Sequence, residues 1–440
     1  MPAAPSLLIV PYRSKTGKLY SQIPTSGAGD FTVTRDTEAR RFNSAGLIES
    51  VASGIPRLDY FASDGTVGCP ALLVEPSGTN LAFHSHLWVT GSNWANTEVS
   101  VVTGTTATTD PFGTNLANAI SPTSGNTLHI VQSNTPTAIS FTSGTIYTQS
   151  AFFKQGTGVA GRYAQLTFPS AAFSQLSYAN FDLQLGTLAV VSGTSADTNR
   201  AASIENFGNG WYRCRLTGTC TSSTSAAGVG FVLATTSGAL RAASFSGTVT
   251  DVIYGVGAQL ETGSVATSYI PTTTAAVTRN ADVISVSGAV SGAIGQTEGT
   301  MYAEVDTRNA ISRVASILQL RQDGINQITL GITTAFGGTN TIAVRAQQAG
   351  SFVIGFHKTN NVAGIYKIAF AYKSTDCKLY INGTDTGVTI ATNNAFTAFS
   401  FNEIQLGMSN SSNQFNDRIL SAALYTTRLS NAELALITQP

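Results

Sequence analysis

The chain has 440 residues, with 24 basic and 24 acidic side chains, zero formal net charge, 42% hydrophobic residues and only 11% charged ones. That balance excludes a nucleic-acid binder, which carries a basic patch or a raised pI. No stretch reaches the roughly 18 consecutive apolar residues of a membrane helix, so no membrane insertion is expected. The charged fraction is less than half of the about 25% usual in globular domains. Solubility therefore rests on Ser, Thr, Asn, Gln and Gly, residues that suit pleated surfaces and turns.

Residues 1–80 carry short apolar runs broken by Pro and charge; Leu7 to Val10 is too short for an export signal or a span. The second zone, residues 81–271, predicts strands at Thr97–Thr103, Thr127–Gln132, Ala138–Phe141, Thr145–Lys154, Tyr163–Phe168, Ala179–Asp182, Thr187–Ser192, Ala202–Asn206, Trp211–Thr219, Gly228–Leu233 and Thr250–Glu261. Many alternate with period two, and turn signals separate them, which favours a sandwich or jelly roll. Residues 272–289 form a Thr/Ala-rich linker. The third zone, 290–440, predicts strands at Gly299–Asp306, Ala315–Arg321, Gln327–Thr333, Thr341–Gln347, Gly364–Lys373, Cys377–Ile381 and Asn402–Met408. Near its end, Ser430 and Glu433 are spaced as the capping box of a short helix running to Ile437. The expected fold class is all-β: an irregular N-terminal anchor followed by two antiparallel β-sandwich domains.

Several segments carry a resemblance. Gly29-Asp-Phe-Thr-Val-Thr-Arg35, Arg41-Phe-Asn-Ser-Ala-Gly-Leu-Ile-Glu49, Ile55-Pro-Arg-Leu-Asp-Tyr60 and Cys69-Pro-Ala-Leu-Leu-Val-Glu-Pro-Ser-Gly-Thr-Asn-Leu81 resemble the N-terminal region of phage fibre, spike and tail-associated virion proteins. Ile204-Glu-Asn-Phe-Gly-Asn-Gly-Trp-Tyr-Arg-Cys214 and Gly257-Ala-Gln-Leu-Glu-Thr-Gly-Ser-Val-Ala-Thr-Ser-Tyr-Ile-Pro-Thr272 resemble the jelly-roll, carbohydrate-binding-module-like domain of those proteins. Tyr366-Lys-Ile-Ala-Phe-Ala-Tyr372 and Cys377-Lys-Leu-Tyr-Ile-Asn-Gly-Thr384 resemble a laminin-G/concanavalin-like sandwich, with Asn382-Gly383 as its hairpin turn. The resemblance implies a virion-surface protein attached to other virion proteins through residues 1–80. It also implies a homo-oligomer, expected to be a trimer, that binds host cell-surface polysaccharide. A tail polysaccharide depolymerase, a glycoside hydrolase, is the alternative.

The search for chemistry favours a non-catalytic reading. Concanavalin-like glycosidases place several carboxylates on one strand face; alternation gives Glu304 and Asp306 a common face, but Arg308 stands where a third carboxylate would fall. The histidines are His84, His86, His129 and His357, and no serine lies in a G-x-S-x-G elbow. His84 and His86 would share a face if extended, with no third metal ligand evident. No cofactor is expected. Asp376, Asn382 and Asp385 flank the hairpin and read as a turn; Ca²⁺ at this rim is the alternative that the resemblance implies. Cys69, Cys214, Cys220 and Cys377 show no C-x-x-C spacing and read as free thiols, with a Cys214–Cys220 pair left open. Sugar binding uses aromatic platforms, and the candidates are Trp88, Trp94 and Tyr60. Tryptophans are nevertheless more often core than platform, and Trp211, in an alternating strand, reads as core.

Overall fold

A computed structural model of the chain describes residues 3–133, 139–174, 176–193, 195, 197, 199–288, 290–308, 313–334, 336, 340–359, 361–410 and 412–440. Strands dominate it, and the chain folds as two compact units, each an antiparallel β-sandwich. One comprises residues 1–45, 50–77 and 280–440; the other comprises 46–49 and 78–279. No helix among the described residues is long and apolar enough to cross a membrane.

The unit of residues 78–279 is the jelly-roll-type sandwich. In one of its sheets the strands Trp94–Thr97, Ile130–Ser133, Gly230–Ala234, Tyr163–Thr167, Tyr178–Asp182 and Thr187–Ser192 lie side by side in that order. The other runs Val99–Val102, Asn118–Pro122, Ile253–Thr262, Ile146–Gln155, Trp211–Thr219, Ala201–Asn206. The expected single strand at Thr97–Thr103 is two strands, because Glu98 adopts a left-handed φ of 52° and passes the chain from one sheet to the other. The expected strand at Ala138–Phe141 is seen as Ile139–Phe141, and residue 138 lies outside the described residues. Inward residues such as Tyr147, Ala151, Phe153, Leu166, Phe231 and Leu260 form its core.

The concanavalin-like unit draws strands from both ends of the chain. One sheet, among the described residues, runs Lys378–Ile381, Gly364–Lys373, Glu298–Thr307, Asp417–Tyr425, Val67–Val74, Leu58–Phe61, with Leu7–Ile9 also paired to Asp417–Tyr425. The facing sheet includes Phe31–Thr34, Val283–Ser287 and Glu403–Leu406, then Ala315–Arg321 (β1), Gln327–Thr333 (β2), Thr341–Gln348 (β3), Ser351–Lys358 (β4) and Thr389–Asn393. Met301, Val305, Ile368 and Phe370 from the first sheet meet Ile328, Leu330, Val344 and Phe356 from the second in one core. The α-helix Asn431–Ile437 (α1) covers the outer face of the first sheet with Leu434 against Ala369, Ala371 and Ala423. The expected capping box is present: the Ser430 hydroxyl accepts from the Glu433 amide at 3.3 Å, and the Glu433 carboxylate accepts from the Ser430 amide at 2.8 Å.

The division of the chain differs from the boundaries drawn on sequence. Of residues 1–80, expected as a separate irregular anchor, 1–45 and 50–77 belong to the concanavalin-like unit and place Leu7, Ile9, Phe31, Leu58 and Leu72 in its core. The expected linker is also structured: Val277–Arg279 pairs with Gly78–Asn80 in the jelly-roll unit, and Val283–Ser287 is a strand of the concanavalin-like unit. Buried charge fastens this arrangement. The Arg35 guanidinium donates to Asp282 at 2.9 Å, and Arg57 bridges Asp282 and Glu75, with all four side chains buried. A second buried cluster joins Asp59, Asp306 and Arg418.

Candidate functional site

A concave site lies on the outer face of the concanavalin-like unit's larger sheet. It is a groove of about 250 Å³ across β1, β2 and β3, closed at one side by Phe352 of β4 and at the other by Ser409, Asn410 and Asn413. Strand periodicity explains its polarity. In β2, Ile328, Leu330 and Ile332 point into the core, so Gln327, Thr329, Gly331 and Thr333 point outward.

Register explains its shape. Ser316, Gly331 and Ala343 are cross-strand neighbours, and these small residues make a low floor. Taller side chains stand in the next rows: Gln319, Thr329 and Arg345, then Gln327, Gln347 and Phe352. A bulge between Ser316 and Leu318 brings β1 so close to Gly331 that a Cβ there would lie 2.3 Å from the Ala315 carbonyl oxygen. Only glycine fits this point of the floor.

Hydrogen bonds hold the polar wall in place. Gln319, 1% exposed, donates through Nε2 to Gln327 Oε1 at 2.9 Å and to Thr329 Oγ1 at 2.8 Å. Its Oε1 accepts from the Asn410 amide at 3.2 Å. Gln327 Nε2 donates in turn to Gln347 Oε1 at 2.9 Å. The Asn410 and Asn413 backbones take left-handed φ values of 49° and 51°, which Asn tolerates, and the Asn413 carbonyl accepts from the Ser316 amide at 2.8 Å. The Arg345 guanidinium lies 4.5 Å from the Phe352 ring centroid, and Phe352 is 49% exposed. A preordered amide chain beside an exposed aromatic ring can hydrogen-bond hydroxyls and stack a non-polar face at once.

The residues singled out from sequence lie elsewhere. Trp88 and Trp94 are 0% and 2% exposed in the jelly-roll core. Their rings lie 5.7 Å apart and pack on Phe231, and their indole nitrogens donate to the carbonyls of Ser85 and Phe83. They are therefore corrected from sugar platforms to core, because no ring face is left to stack on. Tyr60, in the concanavalin-like unit, is half-buried against that unit's core, and the adjacent Phe61 is buried against Phe42. Neither joins the groove. Sequence reasoning missed Gln319, Gln327, Thr329, Arg345, Gln347 and Phe352.

The other candidates resolve individually. Asp306 is fully buried, accepting from Arg418 at 2.7 Å and from the Ser63 amide at 2.9 Å, while Glu304 contacts the Ser421 hydroxyl at 3.3 Å. Arg308 donates to Asp59 at 3.0 Å. Asp417 sits nearby, paired with Arg313, and burial pushes its carboxyl up to about 6 against the pull of the arginines. His84 has a left-handed φ of 48°, so it does not share an extended face with His86, whose Nε2 lies 2.9 Å from the Tyr269 hydroxyl. At the hairpin, Asp376 pairs with Arg428 at 3.0 Å and Asp385 with Lys378 at 3.7 Å, while Asn382 Oδ1 accepts from the Lys367 amide. Cys214 and Cys220 are free, buried thiols, and burial raises the pKa of both.

The fold and the groove define a class: an all-β protein of two antiparallel sandwiches, one carrying a preordered polar groove on a sheet face. No family model matches the chain, and no curated protein is similar to it. Solved structures with partial likeness include the CBM40 module of the Ruminococcus gnavus IT-sialidase bound to α2,3-sialyllactose. It is 18% identical, covers 34% of this chain and 88% of its own, and has a TM-score of 0.29. Domain 4 of AbnA, a GH43 extracellular arabinanase from Geobacillus stearothermophilus in complex with arabinotriose, is 14% identical over 40% of this chain and 82% of its own, with a TM-score of 0.29. Mouse laminin α1 domains LG4–5 are 10% identical over 71% of this chain and 88% of their own, with a TM-score of 0.24. At these scores the likenesses decide nothing about what this chain binds.

Proposed function

We propose that the chain is a non-catalytic glycan-binding protein and that the groove across β1–β3 is its saccharide site. The observation that carries this is the hydrogen-bonded row Gln319–Gln327–Gln347 standing beside the exposed ring of Phe352. Its volume, about 250 Å³, is just below the roughly 300 Å³ at which ligand clefts begin, a scale suited to a short saccharide unit rather than a bulky cofactor. The test is a glycan array of bacterial surface polysaccharides probed with the full chain and with Gln319→Ala. The expected result is selective binding that the variant loses. Unchanged binding by the variant would remove the groove from the account.

The sequence resemblance supports placing this binding on a bacteriophage particle, as a fibre, spike or decoration component that adheres to the host surface. Attachment then uses a face of the folded concanavalin-like unit, since residues 1–45 and 50–77 belong to that unit and supply strands and core residues to it. Trimeric assembly would shield exposed sheet edges such as Thr187–Ser192. Antibodies raised against the chain should decorate intact particles in electron micrographs; particles that stay bare would overturn the virion reading.

A further inference from the structure

We propose that the groove selects saccharides bearing an anionic group, with Arg345 as the counter-charge. This rests on the glycan reading above and specifies its ligand class.

Among the described residues, the groove lining contains one cation, Arg345, and no carboxylate. Most other arginines of this unit are held by protein acids, although Arg13, like Arg345, lies over an aromatic ring. Arg35, Arg57, Arg308, Arg313, Arg321, Arg418 and Arg428 each meet a carboxylate. Arg345 forms no such pair among the described residues, and its defined contact is the Phe352 ring. Its cross-strand neighbours are Thr329 on one side and Gly355 on the other. The first is neutral and the second has no side chain, so the space beside the guanidinium is not filled by a protein acid. A guanidinium lying over a ring keeps its edge N–H groups available, and those groups match the two oxygens of a carboxylate or sulfate. The neighbouring Gln347 Nε2 makes no hydrogen bond among the described residues and stands in the next row, placed to donate to a sugar hydroxyl. Charge and hydroxyl recognition thus converge on one sugar unit. A neutral glycan would leave the guanidinium without an anion, whereas an acidic one gains a charge-assisted hydrogen bond.

The experiment uses the full chain on a glycan array containing carboxylated, sulfated and neutral members, followed by titration calorimetry. Each acidic hit is compared with its carboxyl-reduced or desulfated counterpart, which keeps the sugar skeleton. Acidic forms should bind at least about tenfold more tightly than their neutral counterparts, and the advantage should shrink as salt rises. Carboxylated hits and sulfated hits each support the proposal and identify which group is read. Arg345→Gln should bring acidic and neutral forms to equal affinity without changing the melting temperature, and Arg345→Lys should retain part of the preference. Equal binding of acidic and neutral forms by the native chain overturns the anion selection but leaves the glycan reading standing. A preference that survives in Arg345→Gln overturns Arg345 as the counter-charge and likewise leaves the glycan reading standing. Binding to no member of the array overturns both.

Discussion

Asp282 shows how a chain poor in charge spends the charges it has. Its two carboxylate oxygens face two buried guanidinium groups, Arg35 and Arg57, and its second oxygen also accepts from the Glu75 amide at 2.9 Å. Asp282→Asn removes the acid that the two buried cations share, so it should cost about 3–5 kcal/mol of unfolding free energy, measurable by urea denaturation. A cost within 0.5 kcal/mol would show that the cluster is not held as described. Asp417 gives a second residue-scale expectation. Its folded pKa, about 6, lies above its ordinary value of 3.8 because burial disfavours the charged form. The folded state therefore binds more protons than the unfolded state between these two values. The carboxyl's contribution weakens as pH rises from about 4 to 6, by about 3 kcal/mol at most for this group alone. Carboxyl-carbon NMR of selectively labelled protein should show the Asp417 midpoint near 6; a midpoint below 4 would contradict the burial argument.

Elements were largely legible where alternation was strong. β1 and β2 match their expected limits, and the outward Gln327, Thr329 and Thr333 are visible as the polar half of a period-two pattern. β4 was missed. Its turn, Ala349-Gly350, supplies the positive φ values of a tight hairpin, 52° and 80°, without the Asn-Gly or Asp-Gly pair that announces one. Phe352 was lost with it. The groove itself was not legible, because it depends on register: nothing local in sequence says that Gln319 lies across from Thr329, or Thr329 across from Arg345. The tryptophans were misread for the opposite reason, since residue type alone does not say which ring faces are covered. Gly331→Ala tests the element-scale account. Its Cβ would press on the Ala315 carbonyl and the Ser316 Cα of β1, so stability should fall by about 1–3 kcal/mol and saccharide binding should weaken with it. A stable variant with full binding would show that the floor is not set by that close approach.

At the scale of the whole molecule, the all-β class followed from composition, but the pairing of the two chain ends did not. Leu7–Ile9 and Val67–Val74 both join Asp417–Tyr425, contacts spanning hundreds of residues that no local pattern encodes. This yields a fragment prediction. Residues 78–279 hold a complete sandwich core and should unfold cooperatively when expressed alone, whereas residues 280–440 alone lack the strands and core residues of 1–77 and should not. Calorimetry of the two fragments decides it, and a cooperative transition for 280–440 would contradict the interleaved fold. On the function proposed above, this interleaved sandwich presents a saccharide site on its open sheet face. The most direct measurement is a crystal structure of the full chain with an array-selected oligosaccharide. The expected result is a sugar ring against Phe352, hydrogen-bonded to Gln347 and to Arg345. A sugar held elsewhere, with the groove empty, would contradict it.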